Sequence, residues 1–322
     1  MNLAEELVER CSLKRREQIG PLSDQAFEEL VLSVRQNPQA FIDEPAEQAL
    51  SVLQRALEAF RGSMRDSDLL DDDQYMAQRK KSYAALRQGC LDAIELDGDC
   101  VDAQLVLAQA SYGNPDELLD KLSAVEETVF PDGVSFGPDA WDDVFARPQL
   151  RLYAAMSRAC EDGARYRMAL NYAELVMSAT EKRADPLGAR FTAALALCRL
   201  EDEEGLNRLD ERFSLLGNAW MNLARCILLY KLDRMPAARR ALRGYANLSE
   251  GGAYALLRPI FVETYLPDRP DYAPGSFEEA LCVIHEAEPI IADTPDFIAW
   301  CQTQDWLVAD AQAFAEKRDL DW

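Results

Sequence analysis

The chain has 322 residues, 48% of them apolar and 28% charged, with 15 Gly and 15 Pro. That composition excludes global disorder and allows either two ordinary domains or one elongated array of repeats. Fifty-seven acidic against 34 basic residues leave a formal charge of −23, which repels phosphate backbones and anionic lipid, so neither nucleic acid nor a membrane surface is an expected partner.

In chain order, the dominant signal is a run of segments with apolar residues at i, i+3, i+4 and i+7. Leu3, Leu7 and Val8 begin the first, and Ser23 with Asp24 offers cap oxygens for a second. Pro45 suits a first helical position, ahead of a stripe formed by Ala49, Val52, Leu53, Ala56, Leu57 and Phe60. Further helices are expected over 74–96, 100–112, 115–129, 148–162, 165–181, 187–200, 203–215, 218–231, 236–247, 276–288 and 303–317. Gly251-Gly252 reads as a turn or helix stop, and no Asp-Gly pair is flanked by the alternating pattern of a hairpin. The expected fold class is all-α.

A small residue beside an apolar one recurs at Leu107-Ala108, Met156-Ser157, Ala193-Ala194 and Leu223-Ala224, each followed by a second amphipathic helix. The intervals scatter around the 34-residue tetratricopeptide length. Small residues of this kind let antiparallel helices approach closely. Tyr166 and Ala169 carry the spacing of a tetratricopeptide second helix; Trp220, Leu223, Ala224 and Ile227 carry that of a first. The expectation is an α-solenoid of tetratricopeptide-like antiparallel helix hairpins. Residues 1–75 form N-terminal helices, 76–262 the array with an insertion near 130–146, and 263–322 acidic C-terminal capping helices.

Trp141, Arg147-Pro148, the run Gly163-Ala-Arg-Tyr-Arg-Met-Ala169, and Trp220 with Ala238-Arg-Arg-Ala-Leu-Arg243 together resemble a bacterial group of tetratricopeptide-like proteins similar to the eukaryotic suppressor-of-tumorigenicity family. The resemblance spans roughly residues 78–300 and implies a helical repeat fold, with no catalytic residue to carry over. The closing proline of a repeat is mostly absent, with Gly98 in its place, and the first 75 residues carry no resemblance.

Candidate chemistry is sparse. The eight cysteines, Cys11, Cys90, Cys100, Cys160, Cys198, Cys226, Cys282 and Cys301, include no CxxC pair and sit mostly beside apolar neighbours. They read as small buried hydrophobes of a reducing compartment, so a cytosolic protein with no export or membrane segment is expected. The single histidine, His285, lies one turn from Cys282, the spacing of a nucleophile–base pair, yet no oxyanion donor or orienting group accompanies it. Asp68-x-x-Asp71-Asp72 could hold Mg²⁺ in an all-α enzyme, but it reads better as a solvated linker whose last aspartates cap the next helix. No phosphate-loop, nucleophile-elbow or zinc-protease motif occurs, and no cofactor or metal is expected.

Charge is unevenly placed. Residues 218–262 carry seven basic against two acidic residues, whereas 263–322 carry 14 acidic against three basic ones. The acidic end is expected to fold over the basic hairpin and cap the array, in preference to guarding a groove for an acidic peptide. The leading functional expectation is a non-enzymatic scaffold binding a protein or peptide, for which an acidic one is suited, in the concave face. A residue one after each small seam residue points inward there, which nominates Arg158 and Arg225, with Arg151 and Met221 near them. The alternatives are an all-α enzyme using the acids near Asp71 or the Cys282/His285 pair, and the ligand-sensing half of a regulator.

Overall fold

A computed structural model describes residues 2–65, 71–180, 185–213, 217–259, 266–270 and 272–322. Sixteen α-helices form, no strand occurs among the described residues, and the class is all-α. The Cα trace divides into two compact units: Met1–Met156 with Ser178–Arg183 and Leu266–Arg269, and Ser157–Met177 with Ala184–Tyr265 and Pro270–Trp322.

In the first unit α1 (Leu3–Ile19), α2 (Asp24–Gln36), α3 (Pro45–Arg65), α4 (Asp72–Leu96), α5 (Val101–Gln109) and α6 (Pro115–Val129) precede the start of α7 (Arg147–Asp162). Helices α1, α2, α4 and α6 begin where a short polar side chain satisfies a first-turn amide. Ser23 accepts from Ala26 N at 3.3 Å, Asp71 from Gln74 N at 2.9 Å and Asn114 from Glu117 N at 2.9 Å. Asp71 is thus a helix cap, while Asp66 and Asp68 lie outside the described residues. Leu7, Val34, Leu53, Leu57, Leu86, Cys90 and Val106 meet in one core. The α3–α4 hairpin closes on Gly89, where an added Cβ would stand 2.5 Å from Ala56 Cβ. A small seam residue therefore works here too, N-terminal to the recurring small pairs that begin at Leu107-Ala108.

The second unit takes up the rest of α7, then α8 (Tyr166–Ala179), α9 (Ala189–Arg199), α10 (Glu203–Arg212), α11 (Ala219–Lys231), α12 (Met235–Leu248), α13 (Gly252–Leu257), α14 (Phe277–Ala292), α15 (Phe297–Gln302) and α16 (Asp305–Arg318). α9 packs on α10 and on α11; α11 packs on α12 and α14; α13 packs on α14 and α16. Polar contacts accompany this packing: Trp220 Nε1 donates to Glu286 Oε2 at 2.9 Å and Arg239 Nε to Gln304 Oε1 at 2.8 Å. Leu307 and Phe297 are fully buried.

Two expectations need correction. Gly251 lies in the turn between α12 and α13, as read, but the pair opens a helix instead of stopping one: Gly251 takes φ 69° and α13 follows it, with Tyr254 and Leu256 buried. A side chain at Gly251 would also strike Phe314 and Phe277, at 2.5 and 2.8 Å. α14 runs four residues beyond 288, through Pro289, because Ile290 is anchored in the core and a proline removes only one ladder hydrogen bond. Trp220 is buried, whereas Trp141 and Tyr166 are half-buried, each covered by a guanidinium, Arg147 at 5.5 Å and Arg199 at 5.5 Å.

Ser157, Ala194 and Ala224 are 1%, 0% and 0% exposed. Ala224→Leu should overpack α11 and lower unfolding free energy by roughly 1–3 kcal/mol, read as a shifted urea midpoint with an unchanged slope. An unchanged midpoint would mean the site has room that full burial denies.

Candidate functional site

The four residues nominated for partner binding are placed very differently. Arg151, expected near an accessible inner surface, is 0% exposed and serves the fold of the first unit. Its Nη1 and Nη2 bond Glu6 Oε1 and Oε2 at 2.7 and 2.9 Å, and its Nε and Nη2 bond Asp102 Oδ1 and Oδ2 at 2.8 and 2.7 Å. Helices α1, α5 and α7 are thereby joined by one guanidinium held in a fork on each side. Burial alone would push its pKa down; Asp102 and then Glu6 outweigh that and raise it, so the cation stays charged. A guanidinium with four such bonds and no exposed surface has nothing left to offer a partner. The same helix pair is joined again by Arg147, whose Nη1 reaches Glu9 Oε2 at 2.9 Å.

Arg158, Met221 and Arg225 all belong to the second unit. Arg158 is half-buried on α7. Met221 and Arg225 stand one turn apart on α11, started by Asn218, whose side chain accepts from Met221 N at 2.9 Å. Met221 is 3% exposed and contributes packing. Arg225 is 24% exposed, donates to Asn207 Oδ1 at 2.8 Å and pairs with Asp210, both on α10. Arg212 pairs with Glu174 at 2.8 Å. The face of α9, α10 and α11 is thus lined by arginines tethered to neighbouring acids, with Phe191 stacked on Trp220 at 4.4 Å and 8°.

A shallow cavity of about 390 Å³ in the same unit is lined by Glu201, Tyr230, Lys231, Asp233, Met235 and Asp293. The chain's own cations already serve it, Lys231 on Glu201 at 3.1 Å and Arg199 on Asp293.

The residues nominated for catalysis are placed as follows. Cys282 is 2% exposed inside α14 and His285 is half-buried. All eight cysteines are free and buried. Burial pushes the thiols of Cys90, Cys100, Cys198 and Cys301 up to about 12 and those of Cys11 and Cys160 to about 11. Such thiols stay protonated and make poor nucleophiles. No group of three or more His, Cys, Asp and Glu side chains suited to a metal occurs among the described residues. Among the same residues, no helix is long and apolar enough to cross a membrane.

The described residues define an all-α protein in two units. The chain matches no protein-family model, no curated protein and no solved structure.

Proposed function

We propose that the chain is a non-enzymatic protein-interaction scaffold of the cytosol, a tetratricopeptide-like α-solenoid in which the α9–α11 face takes a protein or peptide segment. The resemblance to the tetratricopeptide-like relatives of the suppressor-of-tumorigenicity family belongs to this proposal. The observation that carries it is the packing of α9 on both its hairpin partner α10 and the next first helix, α11, the neighbour pattern of stacked hairpins. In this reading Arg225 is a polar anchor of the face and Met221 its packed floor, with Arg158 on α7 a second nominated contact; Arg151 is left out because its charge is spent inside the fold.

The test is affinity capture from a lysate of the source cell with the full chain and with the Arg158→Ala/Arg225→Ala double variant. A specific partner retained by the parent and reduced at least tenfold by the variant, with unchanged circular dichroism, supports the reading. Equal recovery by both removes this face from the interaction.

A further inference from the structure

Arg190, the second residue of α9, lacks the hydrogen-bonded carboxylate that three other arginines of the second unit hold. Arg199, Arg212 and Arg225 are each hydrogen-bonded to a carboxylate. Arg190 Nε is buried without an acceptor, and Asp185 Oδ2 stands 4.0 Å away, beyond hydrogen-bond range. Asp185 cannot come closer at no cost, because its two oxygens already accept from Ala189 N and Arg190 N, both at 2.8 Å, closing the first turn of α9. The other nearby acid, Asp210, is taken by Arg225.

The side chain is nevertheless held in place. Its Cζ lies 5.0 Å from the centroid of Phe191 and 4.8 Å from that of Phe213. Phe191 in turn lies on Trp220, whose indole is fixed by Glu286. Two aromatic rings thus flank the guanidinium while its Nε–H has no acceptor, and a planar oxyanion is the group that suits such a donor. The side chain keeps 17% of its surface while Nε itself is buried, so an oxyanion meets the exposed remainder of the side chain first. Desolvation lowers its pKa despite Asp185 and Asp210, the mark of a cation short of counter-charge.

We propose that Arg190 is the receptor for an oxyanion, a carboxylate or a phosphate carried by a partner segment, which completes the charge that the fold leaves open. This deepens the scaffold reading by naming the chemistry that its α9–α11 face selects. The formal charge of −23 does not oppose it, since at physiological ionic strength fields decay over about 8 Å and the local cation dominates.

The experiment follows the arginine Nε–Hε signals of the full ¹⁵N-labelled chain during titration with sodium acetate, sodium phosphate, and sodium chloride at matched ionic strength. The Arg190 signal is assigned by its loss in Arg190→Met. A saturable shift of that signal with acetate or phosphate, absent with chloride and absent at exposed Arg208, is the expected result. Tighter acetate binding assigns an acidic side chain as the source, and tighter phosphate binding a phosphorylated one. Arg190→Met should also keep or raise the melting temperature and abolish any stabilisation by the preferred anion, because the fold gains little from the cation. A shift that merely tracks ionic strength overturns the inference, as does a melting temperature several degrees lower in Arg190→Met. The readout needs no partner: a silent Arg190 beside successful capture removes only this inference, whereas a saturable Arg190 beside failed capture removes only the scaffold.

Discussion

Arg151→Met is expected to lower the unfolding free energy by about 3–5 kcal/mol, the usual cost of stranding buried charge. Glu6 and Asp102, 6% and 1% exposed, would keep their place at the junction of α1, α5 and α7 with no counter-charge. Against a total stability of about 5–15 kcal/mol, that loss is large enough to populate partly unfolded chains. The effect should be greatest on α1, whose amides should exchange with solvent faster, because Glu6 is the residue through which α1 meets the guanidinium. Replacing the whole cluster, Glu6→Met/Asp102→Leu/Arg151→Met, should recover most of the loss, since exchanging a buried ionic triad for apolar groups is often neutral or stabilising. Urea midpoints of the parent, single and triple variants test this directly. A single variant within 1 kcal/mol of the parent would show that the carboxylates find solvent or another cation, and would remove the cluster from the determinants of the fold.

Why Arg151 was misplaced by sequence reasoning shows where that reasoning loses its grip. Its partners lie 145 and 49 residues away, and no local spacing encodes such pairings. A signal was present all the same: Arg151 stands between Leu150 and Leu152 and ahead of Tyr153, and Glu6 stands between Leu3 and Leu7, each a charge embedded in an apolar face. The long helices were legible because three or more turns display the 3.6-residue period, and α3, α7 and α11 start within a residue or two of where caps or prolines place them. The six-residue helices α13 and α15 were not, because fewer than two turns cannot display a period. Gly251-Gly252 reads as a turn or helix stop for the same reason: a left-handed glycine serves either end of a helix, and the packing of Phe277 and Phe314 against Gly251 goes with the start. Arg190 escaped notice because its distinguishing property is a missing acceptor, which depends on Asp185 and Asp210 having been claimed by other groups.

A second large effect should appear in alkali. Cys90, Cys100, Cys198 and Cys301 are pushed by burial from an ordinary value of 9.0 to about 12, and Cys226 is raised well above 9.0 as well. Between those values an unfolded chain releases thiol protons that the folded chain keeps. The folded state then binds more protons, so the stabilisation is complete below pH 9.0 and is lost as pH rises toward 12. Each such thiol contributes on the order of 1 kcal/mol per pH unit, so four together remove several kcal/mol per unit. The buried Tyr245 phenol, also raised by burial, acts in the same direction at higher pH. Set against a stability of about 5–15 kcal/mol, the chain should unfold cooperatively by about pH 10–11 under reducing conditions. Circular dichroism across pH 8 to 11 with a thiol reductant is the measurement. Cys198→Ala, though somewhat less stable at pH 8, should show a slope shallower by about a seventh, because one of the seven thiols raised by burial is gone. A melting temperature that stays flat from pH 8 to pH 10.5 would mean that water reaches these sulfurs in the folded chain. The full burial of Ala224 and the close approach at Gly89 argue against that, because helices packed this closely admit hydroxide to the sulfurs only by unfolding.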